Sequence, residues 1–115
     1  MSAITTHVLD TSRGRPAAGV PVTLERRDRA GDSWASIGHG QTDADGRLRT
    51  LMAADLALQP GEYRLTFDTH TYFAAHAVRG FYPAIVIHFE VAAGETHYHV
   101  PLLLAPFGYS TYRGS

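Results

Sequence analysis

Ile85, Ile87, Phe89 and Val91 occupy alternate positions of the run from Ala84 to Val91, with Val86, His88 and Glu90 between them. A period of two places those four side chains on one face of an extended chain and cannot serve an amphipathic helix, whose apolar stripe recurs every three to four residues. The same signature recurs along the chain. Ile4–Asp10 alternates, Val20, Val22 and Leu24 share a face within Val20–Arg27, and Tyr63, Leu65 and Phe67 share one within Glu62–Asp68. Shorter strands are expected over Trp34–Gly40 and Arg47–Thr50, and two more over His97–Leu104 and Gly108–Tyr112. About eight strands separated by Gly, Pro and Asp turns predict an all-β sandwich.

A loop or single helical turn is expected around Ala53–Leu58. Only Thr71–Val78 reads as a helix, with Asp68 or Thr69 able to cap it and Phe81-Tyr82-Pro83 to end it. With 115 residues, one tryptophan and eleven other aromatics, the chain can fill one core and not two, so one domain over residues 1–115 is expected.

Charge and cysteine narrow the chemistry. The formal net charge is −1 and the arginines are dispersed among acidic residues, so a nucleic-acid partner is not expected. No cysteine is present, which removes disulfides, thiolate nucleophiles and cysteine-bearing zinc sites. The opening Met1–His7 has neither a basic start nor an apolar run, and no stretch reaches membrane-spanning length; a cytoplasmic protein without a membrane partner is expected.

Candidate chemistry rests on histidine. In Tyr98, Val100, Leu102 and Leu104 the last long strand has one apolar row, and in His97, His99, Pro101 and Leu103 a mixed one. If the even row fills the core, Pro101 and Leu103 are left exposed beside two histidines, the mark of an interface or groove. Pro101 has no N–H for a ladder and should lie near an edge or irregularity. On the first strand His7 shares its face with Thr5 and Leu9.

His7, His97 and His99 could in principle offer three nitrogens to zinc, but no His-Glu-x-x-His helix or carboxylate on that strand supports them, and no metal is expected. His39, His70, His76 and His88 read as surface or structural groups. Asp43-x-Asp45-Gly46 has its glycine two positions early for a calcium loop and lacks a closing glutamate, so it reads as a turn. Serine-elbow, phosphate-loop and paired-carboxylate patterns are missing. What remains suffices for metal-free amide hydrolysis: a neutral imidazole to take a proton from water and a guanidinium to hold the oxyanion.

Three segments together resemble the 5-hydroxyisourate hydrolase family, the transthyretin-like proteins. They are Thr5-Thr6-His7-Val8-Leu9-Asp10, Thr42-Asp43-Ala44-Asp45-Gly46-Arg47, and the end of the chain, His97-Tyr98-His99-Val100-Pro101-Leu102-Leu103-Leu104 followed by Ser110-Thr111-Tyr112-Arg113-Gly114-Ser115. Ala105 before the proline and Phe81-Tyr82 depart slightly from the family pattern. The resemblance implies a prealbumin-like sandwich of two four-stranded sheets with one short helix, assembled as a homotetramer whose central channel holds the active sites. It implies cofactor-free hydrolysis of 5-hydroxyisourate to 2-oxo-4-hydroxy-4-carboxy-5-ureidoimidazoline in urate degradation. Carried over by position, His7, Arg47 and His99 are the implied catalytic residues, and Arg47, Tyr112, Ser115 and His97 the implied substrate contacts. The competing readings are a transthyretin-like carrier of an aromatic ligand without chemistry, and a structural sandwich domain.

Overall fold

The computed structural model describes residues 2–28, 31 and 33–115; Met1, which opens the stretch read above for a leader, lies outside them, as do Arg29, Ala30 and Asp32. Two sheets face each other. The first contains β1 (Ile4–Asp10), β2 (Arg15–Pro16), β5 (Arg47–Leu48), β8 (Tyr98–Ala105) and β9 (Gly108–Thr111). Its order is β2-β1-β8-β9, with β5 also paired to β1. β2 and β5 are two residues each and bind different stretches of β1, Leu9–Asp10 and Thr6–His7, on the flank away from β8, so the sheet is four lanes wide. The second sheet runs β4 (Ala35–Gln41), β3 (Pro21–Arg27), β6 (Gly61–Phe67), β7 (Ile85–Val91).

The alternation read from the sequence sets which rows meet between the sheets. Ile4, Thr6 and Val8 of β1 and Tyr98, Val100, Leu102 and Leu104 of β8 turn inward, against Val22 and Leu24 of β3 and Tyr63, Leu65 and Phe67 of β6. All are at most 8 % exposed, as are Ile85, Ile87 and Val91 of β7. At roughly 25 cal/mol per Å² of apolar surface, each such large aliphatic residue contributes about 1.5–3 kcal/mol to folding. Thr6, polar but buried, donates its hydroxyl to the Val100 carbonyl at 2.6 Å, which ties β1 to β8 from inside the core.

The boundaries differ from the sequence expectation where side chains take over backbone groups. The helix α1 spans Thr69–Ala75, not Thr71–Val78. Asp68 caps it, accepting from the Thr71 backbone N–H at 3.0 Å and the Thr71 hydroxyl at 2.7 Å. It stops early because Ala77 takes a left-handed φ of 55° and the Val78 N–H returns to the Phe73 carbonyl at 2.9 Å. Strand β5 ends at Leu48 rather than Thr50, because Ser2 Oγ captures the Met52 N–H at 3.0 Å while Leu51 and Met52 turn into the core. Ala53–Leu58 forms a turn, closed by the Leu56 N–H on the Ala53 carbonyl. The pair Arg15–Pro16, read as part of a turn, adds the short strand β2.

Pro101 lies in β8, which is flanked by β1 and β9 and is not an edge. The irregularity it needs is a break in the ladder: pairing with β9 stops at Leu102 opposite Thr111 and resumes as an isolated bridge at His99 opposite Gly114. In that gap the Thr111 hydroxyl donates to the Pro101 carbonyl at 2.7 Å. The outer face at this point is less open than the alternation suggests, since Pro101 is buried and Leu103 half-buried. The terminal turn does the covering: a Cβ built on Gly114 would stand 3.2 Å from Pro101 Cγ.

Candidate active site

The candidate residues meet on the outer face of the first sheet because three ladders share one register. β1 runs parallel to β8 with Thr5 beside His99 and His7 beside Pro101; β5 runs antiparallel to β1 with Arg47 beside His7. Partners across a ladder point to the same side, so two neighbouring rows result. One contains Arg47, His7 and Pro101; the other contains Thr5, His99 and, through its bridge, Gly114.

Arg47 enters its row through the Thr42–Arg47 turn. Asp43 Oδ1 accepts the backbone N–H groups of Asp45 and Arg47, each at 2.9 Å, so the stretch that superficially matched a calcium loop is an Asx turn. Gly46 closes it at φ 75°, donates to the Asp43 carbonyl, and accepts the Val8 N–H at 2.7 Å. A Cβ there would stand 2.3 Å from the Val8 carbonyl, so close approach and positive φ both require glycine.

The two histidines are held differently. His7 Nε2 lies 2.9 Å from the Asp45 carbonyl oxygen. A carbonyl only accepts, so Nε2 carries the proton and the neutral ring keeps its lone pair on Nδ1. His99 Nδ1 lies 2.8 Å from Thr5 Oγ1, a hydroxyl able to donate or accept. Burial, followed by the Arg47 charge and the neighbouring His7 and His97 rings, holds the His99 pKa below the usual histidine value, which favours neutral imidazole.

A cavity of about 160 Å³ opens beside His99, lined by Thr5, Thr6, Arg47, Arg49, His97, His99 and Ser115. Larger hollows exist, one of 440 Å³ beside α1 and one of 300 Å³ at Glu62 and His88, but neither joins an unpaired guanidinium to a half-buried imidazole. Of the six residues expected from the sequence, Arg47, His97, His99 and Ser115 therefore share a cavity, with His97 exposed at its rim. His7 stands in the adjoining row and does not line it. Tyr112, 59 % exposed, lines a different hollow with Ile87, Phe89, Tyr98 and Val100. Its neighbour Arg113 lies 4.2 Å above the Tyr98 ring and 3.5 Å from Glu95. Among the described residues no three ligand side chains converge as a metal site would require.

Thr5, Arg49 and Gly114 were absent from the expected set. Thr5 stands two positions from His7 on the same face of β1, and Arg49 two positions after Arg47, a spacing that is the signal that could have found them. Gly114 lies within the terminal motif, but its place against the His99 ring comes from tertiary contact.

The family model for the HIUase/Transthyretin family matches residues 4–114. The chain belongs to this family. A 5-hydroxyisourate hydrolase of Caulobacter vibrioides is 46 % identical over 119 residues, covering 100 % of both chains. Among solved structures, a Klebsiella pneumoniae 5-hydroxyisourate hydrolase superposes with a TM-score of 0.81 at 42 % identity, covering 100 % of each chain. Sea bream transthyretin in complex with thyroxine superposes with a TM-score of 0.88 at 30 % identity, covering 97 % of this chain and 94 % of that one. The family thus joins a hydrolase and a hormone binder on one scaffold, and the site must decide between them.

Proposed function

We infer that this chain is a cofactor-free hydrolase that opens the six-membered ring of 5-hydroxyisourate in urate degradation. The observation that carries the reading is the cavity in which a half-buried imidazole held toward its neutral form, His99, stands with the Arg47 guanidinium. A carrier of an aromatic hormone has no use for a base held neutral beside a cation. Relatives named for this activity match along the whole chain.

The reaction starts with His99 in the tautomer that donates Nδ1–H to Thr5 Oγ1, which leaves the Nε2 lone pair for water. Water oxygen adds to the amide carbonyl carbon as its proton passes to Nε2. Arg47 holds the oxyanion of the tetrahedral species. The C–N bond then breaks, the departing nitrogen takes the proton from Nε2, and the new carboxyl group ionises. His99 keeps the same contact with Thr5 in both its neutral and its protonated form, so the ring need not turn between the two transfers. His7 acts from the adjoining row, its Nδ1 lone pair orienting the substrate beside Arg47. His97, Ser115 and Tyr112 contact the substrate from the rim, Tyr112 after moving from its present hollow.

The proposed working form is a single-domain subunit in a cytoplasmic homotetramer. Membership of the HIUase/Transthyretin family supports that assembly.

Generating 5-hydroxyisourate in place with urate oxidase, and following its ultraviolet decay with and without this protein, tests the reading. Accelerated decay is expected; decay at the spontaneous rate rejects it.

A further inference from the structure

Arg49 belongs to none of the motifs. The β1–β5 ladder pairs His7 with Arg47 and Thr6 with Leu48 and ends there, and Arg49 is the first residue beyond it. The Arg49 carbonyl accepts the Ser2 N–H at 2.9 Å, which anchors its backbone there. Arg49 and Arg47 both line the cavity with His99 and Thr5.

Among the described residues, neither guanidinium has a hydrogen bond or an ion pair. Asp43, the carboxylate that feels both charges, spends Oδ1 on the backbone N–H groups of Arg47 and Asp45. Two unengaged planar forks and two imidazoles around about 160 Å³ make a cavity matched to a flat anion, above all a carboxylate.

The hydrolase reading, on which this inference rests, produces such a group: ring opening leaves the former carbonyl carbon as a carboxylate. We propose that Arg49 is a second anion-binding residue, which with Arg47 clamps the carboxylate formed by ring opening and gives the site its preference for planar anionic ureides. Arg47 faces His7 across the ladder and serves the reacting carbon. Arg49, more exposed and just past the end of β5, serves product binding and release. The division of labour predicts which kinetic constant each arginine governs.

Arg49→Gln should raise the inhibition constant of the ring-opened product by about tenfold, the effect of one charge-assisted hydrogen bond to its carboxylate. Arg49→Lys, which keeps the charge but not the fork, should fall between. Orotate and uracil, the same planar ureide with and without a carboxylate, serve as calorimetric probes in parallel. The native protein should bind orotate more tightly, and Arg49→Gln should lose most of that preference. No orotate preference in the native protein, or a preference and a product inhibition both unaltered by Arg49→Gln, overturns the clamp. If native protein fails to hasten 5-hydroxyisourate decay, the hydrolase reading falls, while the orotate comparison still decides whether Arg49 binds carboxylates. Hydrolysis with no difference between the probes removes the clamp and leaves the hydrolase standing.

Discussion

Thr5 Oγ1 meets His99 Nδ1 at 2.8 Å, where parallel strands β1 and β8 place the two side chains in one row. A residue only 4 % exposed thus sets the orientation of the proposed base. Thr5→Val keeps the shape and removes the hydroxyl, so kcat should fall about tenfold with little loss of stability, while Thr5→Ser should retain most activity. Steady-state rates for the pair, with thermal melts, check this; equal rates for the valine and serine variants would dismiss an orienting role.

Removal of the base itself should cost more. Alanine at His99 should lower turnover by ~10²- to 10⁴-fold, and alanine at His7 by a comparable factor, with circular dichroism unchanged. Normal turnover in both variants contradicts the assigned roles.

The environment of His99 also fixes the direction of a pH dependence. Its pKa lies below the usual histidine value, first through burial and then through Arg47, His7 and His97, so the neutral base persists to lower pH than free histidine. kcat/KM should therefore fall on the acid side with an apparent pKa below about 6.5. The unfolded chain takes up this proton first as pH drops, so the His99 contribution to stability is complete above about 6.5 and is lost as pH falls through the folded-state value. Acid limbs of kcat/KM in the native protein and in Arg47→Gln separate the causes: the limb should move to higher pH when that positive neighbour is gone.

Gly114 packs against the same ring, and a Cβ there would lie 2.6 Å from His99 Cδ2. Gly114→Ala must displace either the terminal turn or the imidazole, although its position is far from the sandwich core. A loss of activity by tenfold or more, with a melting temperature within a few degrees of the native protein, is expected. Full activity would mean that the turn yields instead of the ring.

Asp10 supplies a stability test away from the site. It is 1 % exposed, and its carboxylate accepts from the Ser12 hydroxyl at 2.6 Å, the Tyr72 hydroxyl at 2.7 Å, and the Ser12 and Arg13 backbone N–H groups. Burial alone pushes its pKa up, but these donors together hold it below the ordinary aspartate value. Tyr72→Phe removes the donor that ties α1 to β1 and should cost about 1–3 kcal/mol in denaturant unfolding. The Asp10 contribution is present above the unfolded pKa near 3.9 and is lost as pH falls through the lower folded value. The substituted protein should accordingly show a shallower loss of stability in acid.

The sandwich was legible because alternation is local: Val22 and Leu24, Tyr63 and Leu65, and Ile85 and Ile87 announce their faces within a few residues, and each lies in the core. Helix bounds were less legible, since Ala77 adopts a left-handed φ that its residue type does not advertise. For the site, His99 and Arg47 came from motif resemblance, and the fold sets both along one cavity. Thr5 shares a strand face with His7, but its contact with His99 depends on the pairing of β1 with β8, a long-range relationship that no short window contains. Tyr112 shows the reverse: its segment matches a motif, yet the side chain stands at another hollow.

The two rows on the outer face have a consequence for how the protein misfolds. Strand side chains alternate, so a slip of β1 by one residue against β8 and β5 would drive Thr5 and His7 into the hydrocarbon interior and expel Ile4 and Val8 to water. A mispaired sheet is therefore both inactive and heavily penalised by the burial of polar groups. Chains that escape proteolysis should consequently be active ones, because the same hydrogen-bond ladder that assembles the site also screens the fold.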